Sequence, residues 1–326
     1  MTHSFAVVTV CKNEEKYIAS TIKSIANQSI TPVCYVIVDD GSTDKTPDII
    51  HKFMEKYDWI KYVKLPVREW DIGAHYAHIC NIGFESIISY CSENKINIDY
   101  ICLMDADTVI ERDYFKKVVA KFQEDDSIGI LSPGLFHLEN GKYICGPRRL
   151  DSPCGTARCW SYKCFSETEG YLHDVSPDYT SNIRARAMGW KTVRYPELLV
   201  IERRPTSSGS KSWPGYAKFG GNDYHLCLNP ILVLVKQIQL VYSQKSIQAL
   251  GYLQGYLSSL ILRRDKISDE AVKSYCMRGA LKDRLNIHII RHVKSDVEPK
   301  YFDGTITMKE EDAQYFENII AISMDK

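Results

Sequence analysis

A chain of 326 residues with 44% hydrophobic content and 41 basic against 41 acidic side chains reads as an ordinary globular protein with material for a large core. Zero formal net charge removes the general electrostatic footprint of a nucleic-acid binder, so nucleic acid is not expected as a partner. Eleven cysteines occur without a C-x-x-C pair, which speaks against a zinc ribbon or a redox dithiol. Cys154, Cys159 and Cys164, one every fifth residue, are expected to be unpaired thiols of a cytoplasmic chain. Neither a signal peptide nor an apolar run of membrane-spanning length is expected.

In chain order, the first strand is expected over 5–10, running into Cys11-Lys12-Asn13-Glu14-Glu15 and an amphipathic helix over about 14–27. A second strand over 33–38 ends in Asp39-Asp40-Gly41-Ser42-Thr43-Asp44. Asp44 or Thr43 suits the cap of a helix over about 45–56, with Pro47 in its first turn. A strand over 60–64, a long helix from 74 to about 93, and a strand ending at Asp105-Ala106-Asp107 follow. Beyond them lie a helix over 112–123 and a short strand over 128–132. This alternation is the signature of an α/β fold with a mostly parallel central sheet and flanking helices. From Asn229 onward the pattern becomes helical, over 230–242, 247–262 and 271–284, so an α/β domain is expected over 1–225 and a helical C-terminal region over 226–326.

The chemistry is concentrated where the strands run out. In an open α/β sheet ligands bind at the carboxyl ends of the strands, and three such ends here are polar and mostly acidic. Two aspartates one residue apart can present hard oxygen ligands to Mn2+ or Mg2+, which in turn grips a diphosphate. A D-x-D pair alone is also an ordinary acidic turn; the second acidic strand end, at Asp39 and Asp40, lifts it above that reading.

Together, Val7-Val8-Thr9-Val10-Cys11-Lys12-Asn13-Glu14-Glu15, Val38-Asp39-Asp40-Gly41-Ser42-Thr43-Asp44 and Met104-Asp105-Ala106-Asp107 resemble the family-2 glycosyltransferases, inverting nucleotide-sugar enzymes with a GT-A fold. The resemblance spans about residues 5 to 205. It implies a nucleotide-sugar half over about 1–108 and an acceptor half over about 109–225. It assigns Cys11, Glu14, Asp39, Asp40 and Asp105 to the donor nucleotide, with Asp39 on the base, Glu14 on the nucleoside and Asp105 near the ribose or diphosphate. Asp107 would hold the metal, Mn2+ or Mg2+. Glu14 reads equally as an acid in a helix's first turn.

Between these motifs the family carries a Gly, a basic residue and an Asn-x-Gly. Here Gly73 and Asn81-Ile82-Gly83 are present but Ala74 follows the glycine, which leaves His75, His78 or Arg68 for a phosphate contact. The family's Glu-Asp-x-Asp segment followed by Arg-x-Arg-x-x-Gly-Trp is matched over Pro177 to Trp190; Asp178 falls at the acid that deprotonates the acceptor, with Pro177 and Thr180 in place of the flanking acids. Asp174 is the fallback, and Gly155-Thr156-Ala157 resembles the small-residue loop that precedes this segment. Where relatives carry a His, this chain has Glu202, Arg203 and Arg204, the arginines being suited to a diphosphate. Ser207 to Gly215, with Trp213, is suited to a lid.

The apolar, aromatic C-terminal helices suit a membrane interface that presents a lipid-linked acceptor, and equally a helix pair packed on the core or a homo-oligomer contact. The reading is therefore a metal-dependent inverting glycosyltransferase moving a sugar from a nucleotide-diphosphate donor to a hydroxyl acceptor, a surface glycan or a lipid-linked saccharide. It would act in the cytoplasm, with a seat at the inner face of the cell membrane left open. A sugar-nucleotide-forming nucleotidyltransferase would share the sheet and acidic site, but the first strand lacks the Gly-rich loop that class needs. A non-catalytic glycan- or nucleotide-binding subunit is kept open by the substitutions around Asp178.

Overall fold

The computed structural model describes residues 4–67, 74–146, 148–174, 176–204, 213–242, 246–281, 301–302 and 305–322. Its first half alternates strand and helix: β1 (Phe5–Cys11), α1 (Ile18–Ala26), β2 (Cys34–Asp39), α2 (Thr46–Met54), β3 (Ile60–Lys64), α3 (Ala74–Glu93) and β4 (Tyr100–Asp105). Then come β5 (Thr108–Ile110), α4 (Tyr114–Glu124), β6 (Ile128–Glu139), β7 (Lys142–Cys145), β8 (Arg148–Arg149), β9 (Arg158–Ser161), α5 (Tyr162–Glu167), α6 (Pro177–Ala187) and β10 (Lys191–Glu202). The remainder is α7 (Trp213–His225), α8 (Pro230–Tyr242), α9 (Ser246–Ile261), α10 (Glu270–Ser274), β11 (Tyr301–Phe302), β12 (Ile306–Thr307) and α11 (Glu310–Ile322).

The centre of the sheet is the parallel block β3-β2-β1-β4; beyond β4 it becomes mixed, through antiparallel β9 to β6, which pairs β10 in parallel and β7 in antiparallel. Alternation along each central strand sends side chains to two faces, both covered, as a buried parallel sheet requires. Phe5, Val7, Tyr35, Ile37, Cys102 and Met104 meet Ile18 and Ile22 of α1, Ile50 of α2 and Phe115 and Val118 of α4. Ala6, Val8, Val36, Val38, Ile101 and Leu103 meet Ala77, Phe84 and Ile87 of α3 and Phe165 of α5. Cys159 and Cys164, free thiols, belong to the opposite cores. This is the α/β class expected from the sequence.

Several boundaries differ from expectation for local reasons. Helix α1 starts at Ile18 rather than near 14, because the amides of Asn13, Glu14 and Glu15 are taken by Ser42, Thr46 and Asp44 side chains. Strand β6 continues through Pro133 to Glu139, held by β10 on one side and β7 on the other, with a register break opposite Tyr195–Leu199. The helix expected over 271–284 is α10 followed by a π-turn at Tyr275–Gly279, and residues 282–284 lie outside the described residues.

The chain forms two compact units: residues 1–173, 177–204 and 300–326, and residues 174–176 and 205–299. This division differs from the 225/226 boundary in two places. Helix α7, expected with the α/β domain, packs instead on α9: a Cβ at Gly255 would come within 1.8 Å of the Ala217 carbonyl oxygen, and one at Gly220 within 2.0 Å of that of Tyr252. The C-terminal segment, expected to be helical, returns to the first unit. There β12 pairs with β7, and Met308, Phe316 and Ile319 bury against Val109, Phe136 and Ile201.

Within the second unit Leu232 and Val233 of α8 pack with Tyr252 of α9, while Ile231, Leu234, Ile238 and Val241 of α8 and Ile247, Leu250 and Ile261 of α9 are exposed. Among the described residues no helix is long and apolar enough to cross a membrane. His225 at the end of α7 binds the Asp174 carboxylate through Nε2 at 2.8 Å and the Asp265 carbonyl through Nδ1 at 2.9 Å.

Two outcomes follow from this unit. Gly255→Val forces α7 and α9 apart and is expected to cost about 1–3 kcal/mol or more, read as a lowered urea midpoint with the fold of the first unit retained by circular dichroism. The Asp174 hydrogen bond raises the pKa of His225 above its ordinary value, with burial opposing it. A raised histidine stabilises below its unfolded pKa of about 6.5 and loses that contribution as pH rises through the folded value. His225→Gln should therefore lower the melting temperature more at pH 5.5 than at pH 8.5; equal penalties at both would show that the charge contributes nothing.

Candidate functional site

Register gathers the acidic strand ends. In the β1–β2 ladder Cys11 lies opposite Asp39, and in the β1–β4 ladder Val10 lies opposite Asp105. Three adjacent parallel strands thus end at one level, and two strand spacings put Asp39 and Asp105 about 10 Å apart. The loops leaving them are sewn together. Gly41, at φ +72°, lets the β2 loop turn back. Ser42 Oγ accepts from Asn13 N–H at 2.8 Å, Asn13 Oδ1 accepts from Thr43 N–H at 2.8 Å, and Glu15 Oε2 accepts from Lys45 N–H at 3.1 Å. Asp44 accepts from Thr46 N–H at 2.9 Å, as expected of a residue at the start of α2.

Each acid on this edge has its own surroundings. Asp39, fully buried, accepts from Ser42 N–H at 2.7 Å and from the Tyr62 hydroxyl at 2.6 Å. Asp40 pairs with Lys12 Nζ at 3.2 Å and lies 3.3 Å from His75 Nε2. The Cys11 thiol is 2% exposed in the core, its pKa driven well up by burial and then by the Asp39 charge, while its carbonyl accepts from Asp40 N–H. Any contribution of Cys11 to a ligand is therefore one of backbone.

The Asp105-Ala106-Asp107 turn is braced from behind: the Ala106 carbonyl accepts from Thr21 Oγ1 at 2.7 Å, and the Asp107 carbonyl from Arg203 N–H at 3.0 Å. Burial and then the neighbouring Asp107 charge push the Asp105 carboxyl up to about 7, against a 3.0 Å hydrogen bond from Tyr76. Arg204 bridges two acids, donating from Nε to Asp107 Oδ2 at 3.0 Å and from Nη2 to Glu14 Oε1 at 2.7 Å. Burial raises Asp107 and Glu14 above the usual carboxylate range while Arg204 pulls both down. Burial disfavours the Arg204 charge, and its bonds to these acids outweigh that and raise its pKa. Among the described residues Glu14 Oε2 is buried without a hydrogen-bond partner. Arg203 turns away, to Ser20 Oγ at 2.9 Å and over the Tyr17 ring, so of the two arginines only Arg204 meets the acids.

Asp178 opens α6, with Pro177 before it and Gly189 ending the helix through the Trp190 N–H to Ala185 carbonyl bond. Its carboxylate sits over Gly155, where a Cβ would lie 2.5 Å from Oδ2. Next to it Thr156 Oγ1 accepts from Asp105 N–H at 3.2 Å, which ties the Asp178 side of the site to the Asp105 strand end. Tyr171 donates its hydroxyl to Asp178 Oδ1, and Arg158, fully buried on β9, lies 4.0 Å from the same oxygen. Sequence reasoning missed Arg158, Tyr171, Tyr76 and Tyr62. The one legible signal was Arg158, a charge in the middle of the apolar run Ala157-Arg158-Cys159-Trp160, which demands a buried partner.

The other expected residues divide. Asn81 donates to the Tyr171 carbonyl at 2.9 Å and His78 stands 6.1 Å from the His173 ring, whereas Arg68, Gly73 and the 207–212 part of the expected lid lie outside the described residues. Asp174 engages His225 in the second unit. Trp213 opens α7 of that unit and donates to Gln254 at 2.5 Å. Among the described residues no three His, Cys, Asp or Glu side chains converge on one point.

Comparison with known proteins bears on the family and the fold. The probable glycosyltransferase YdaM of Bacillus subtilis is 31% identical over 128 residues, 38% of this chain and 27% of that one. The poly-beta-1,6-N-acetyl-D-glucosamine synthase of Staphylococcus epidermidis is 26% identical over 136 residues, 42% of this chain and 29% of that one. The chain thus matches less than a third of the length of these two relatives. Among solved structures, S. aureus TarS 1–349 in complex with UDP-GlcNAc superposes with a TM-score of 0.51 at 16% identity, covering 67% of this chain and 64% of that one. The mannosyltransferase PcManGT from Pyrobaculum calidifontis, in complex with GDP-Man and Mn2+, superposes at 0.50 and 14% identity, covering 99% and 86%. Those likenesses carry the GT-A-like fold. The sequence profile described as Glycosyl transferase family 2 matches residues 6–185, from β1 to α6 and over half the chain. With the acidic strand ends, the D-x-D turn and the α6 acid all inside that match, the chain belongs to glycosyl transferase family 2.

Proposed function

We propose that this chain transfers one sugar, with inversion, from a nucleotide-diphosphate donor to a hydroxyl acceptor, using a divalent metal. The observation that carries the reading is the register that brings Asp39, Asp105 and Asp107 to one sheet edge, together with the Thr156 and Gly155 link from Asp105 to Asp178. Asp39 would accept from a base imide and Glu14 from the nucleoside, because ring N–H groups and ribose hydroxyls are donors that carboxylates suit. Asp40 and the Cys11 backbone would line the same subsite, and Asp105 would face the ribose or diphosphate.

The residues fit a divalent cation in the manner of Mg2+ or Mn2+ sites that use one or two carboxylates and complete the shell with substrate phosphates and water. Asp107 would hold it with Asp105 beside it, and the unpartnered Glu14 Oε2 supports a further polar ligand arriving there. A cation so held supplies charge that offsets the negative charge developing on the leaving diphosphate. Arg204 would add a planar donor fork for the same phosphates once it leaves its carboxylates.

Asp178 would accept the acceptor's proton as its oxygen attacks the anomeric carbon from the face opposite the diphosphate. The exposed apolar stripe of α8 and α9 favours a lipid-linked saccharide over a free glycan as acceptor, and with it a cytoplasmic enzyme seated at the inner face of the cell membrane.

A donor screen tests this reading. With Mn2+ or Mg2+ and each common UDP-, GDP- and dTDP-sugar, one donor is expected to be hydrolysed slowly to free nucleoside diphosphate; no hydrolysis or binding of any donor would sink it. In calorimetry, Asp107→Ala should weaken Mn2+-dependent binding of the matching nucleoside diphosphate by a factor of about ten or more, about 1.4 kcal/mol. Asp178→Asn should bind the nucleotide normally while turnover falls by about 10²–10⁴. Wild-type turnover in that variant would remove Asp178 from the role of base.

A further inference from the structure

The carboxylate of Asp178 is held from one side only. Its Oδ1 accepts from the Tyr171 hydroxyl and lies 4.0 Å from Arg158 Nη1, while that same Nη1 donates to the Asp178 main-chain oxygen at 3.0 Å. Among the described residues Oδ2 has no hydrogen-bond partner, and the whole carboxylate lies over the bare Cα of Gly155, where a Cβ would come 2.5 Å from Oδ2 and 2.8 Å from Oδ1. Both holding groups are themselves fixed. Arg158 Nη2 donates to Asn182 Oδ1 at 2.7 Å, Asn182 Nδ2 donates to the Pro153 carbonyl at 2.9 Å, and the guanidinium stacks 4.7 Å from the Trp160 ring centroid. Tyr171, also buried, is fixed through its carbonyl by Asn81 of α3.

Tyr171 packs among Tyr76, Phe84 and Trp160, but packing does not account for the Arg158 charge. Taking a guanidinium out of water is costly, and more so if it is left without a partner. Arg158 nevertheless sits fully buried on a strand, its Nε has no hydrogen-bond partner among the described residues, and its ion-pair neighbour is Asp178. A leucine would fill such a position more cheaply unless the charge were needed where it stands.

We propose that Arg158 and Tyr171 are positioning residues for transfer: they clamp Oδ1 of Asp178 so that Oδ2, in the space left by Gly155, is the atom that takes the proton. This rests on the reading of Asp178 as base. In the step it serves, the acceptor hydroxyl oxygen bonds to the anomeric carbon, and the bond from that carbon to the diphosphate oxygen breaks. The electron pair leaves with the nucleoside diphosphate, and the hydroxyl proton passes to Oδ2. The charged and titratable groups facing Asp178 are Arg158 on β9, Tyr171 before α6, Asp105 on β4, and Tyr76 and Cys80 on α3.

The test uses the full chain with Mn2+ and, as probes, UDP-N-acetylglucosamine and GDP-mannose, following release of UDP or GDP with the donor that turns over, and UDP or GDP binding by calorimetry. Tyr171→Phe removes one hydroxyl and leaves the packing in place. It is expected to lower kcat about tenfold or more with donor KM and nucleotide affinity within twofold. Arg158→Met should do the same and Arg158→Lys should recover part of kcat; where Arg158→Met fails to fold, Tyr171→Phe and Arg158→Lys carry the test. Unchanged kcat in Tyr171→Phe, while Asp178→Asn still loses turnover, would overturn the clamp and leave the base in place. Turnover retained in Asp178→Asn is a different result, which removes the base and the clamp with it.

Discussion

The parallel register of β1 with its two neighbours is the constraint on which the rest depends. Because a strand's side chains repeat every two residues, slipping either ladder by one position would turn Asp39 or Asp105 over to the opposite face. Burial on both faces forbids that slip: Val7 and Val8 on successive positions of β1 face different cores, and each is fully buried. The hydrophobic effect, spread over two helix layers, thus fixes the height at which the acids emerge. The hydrogen bonds between the Asn13 and Ser42 loops then set their direction.

Two guanidiniums divide the electrostatic work at that edge. Arg204 is half-exposed and serves two acids that burial alone would drive toward neutrality. Arg158 is deeply buried and serves one acid that is itself partly open to solvent. The first arrangement can rearrange at small cost, because water reaches Arg204. The second is fixed, since moving Arg158 would strand a charge among Trp160 and the β9 core.

Much of this was legible in the sequence. The alternation of apolar runs with helical periods gave the parallel block, and acids placed where β2 and β4 run out gave the edge. Asp178 was singled out by the resemblance of Pro177 to Trp190 to the family's segment, in which Arg184 pairs with Glu169 at 3.1 Å and Arg186 approaches Asp151 at 3.8 Å. What stayed hidden depended on contacts far apart in the chain. Tyr171 looks like any aromatic until the fold sets its hydroxyl on Asp178, and the two arginines after β10 look alike until the strand's twist sends Arg203 to α1 and Arg204 to the acids. The boundary at 225/226 went astray because glycines in α7 and α9 carry no apolar signal, although their missing side chains are what allow the helices to cross so closely. The nucleotidyltransferase alternative falls away with membership of the glycosyltransferase family.

The return of β12 and α11 to the first unit has a consequence for biosynthesis. Until residues 300–322 emerge from the ribosome, the β7 edge stands with unmet backbone donors and acceptors, and Phe136 and Ile201 lack the cover of Phe316 and Ile319. The whole second unit is translated during that interval. A sticky sheet edge is therefore presented to the cell while about 160 residues are added, for about 8–32 s at synthesis rates of about 5–20 residues per second. Nascent chains of this enzyme would depend on chaperone cover for the closing strand to find its place before a neighbouring chain does.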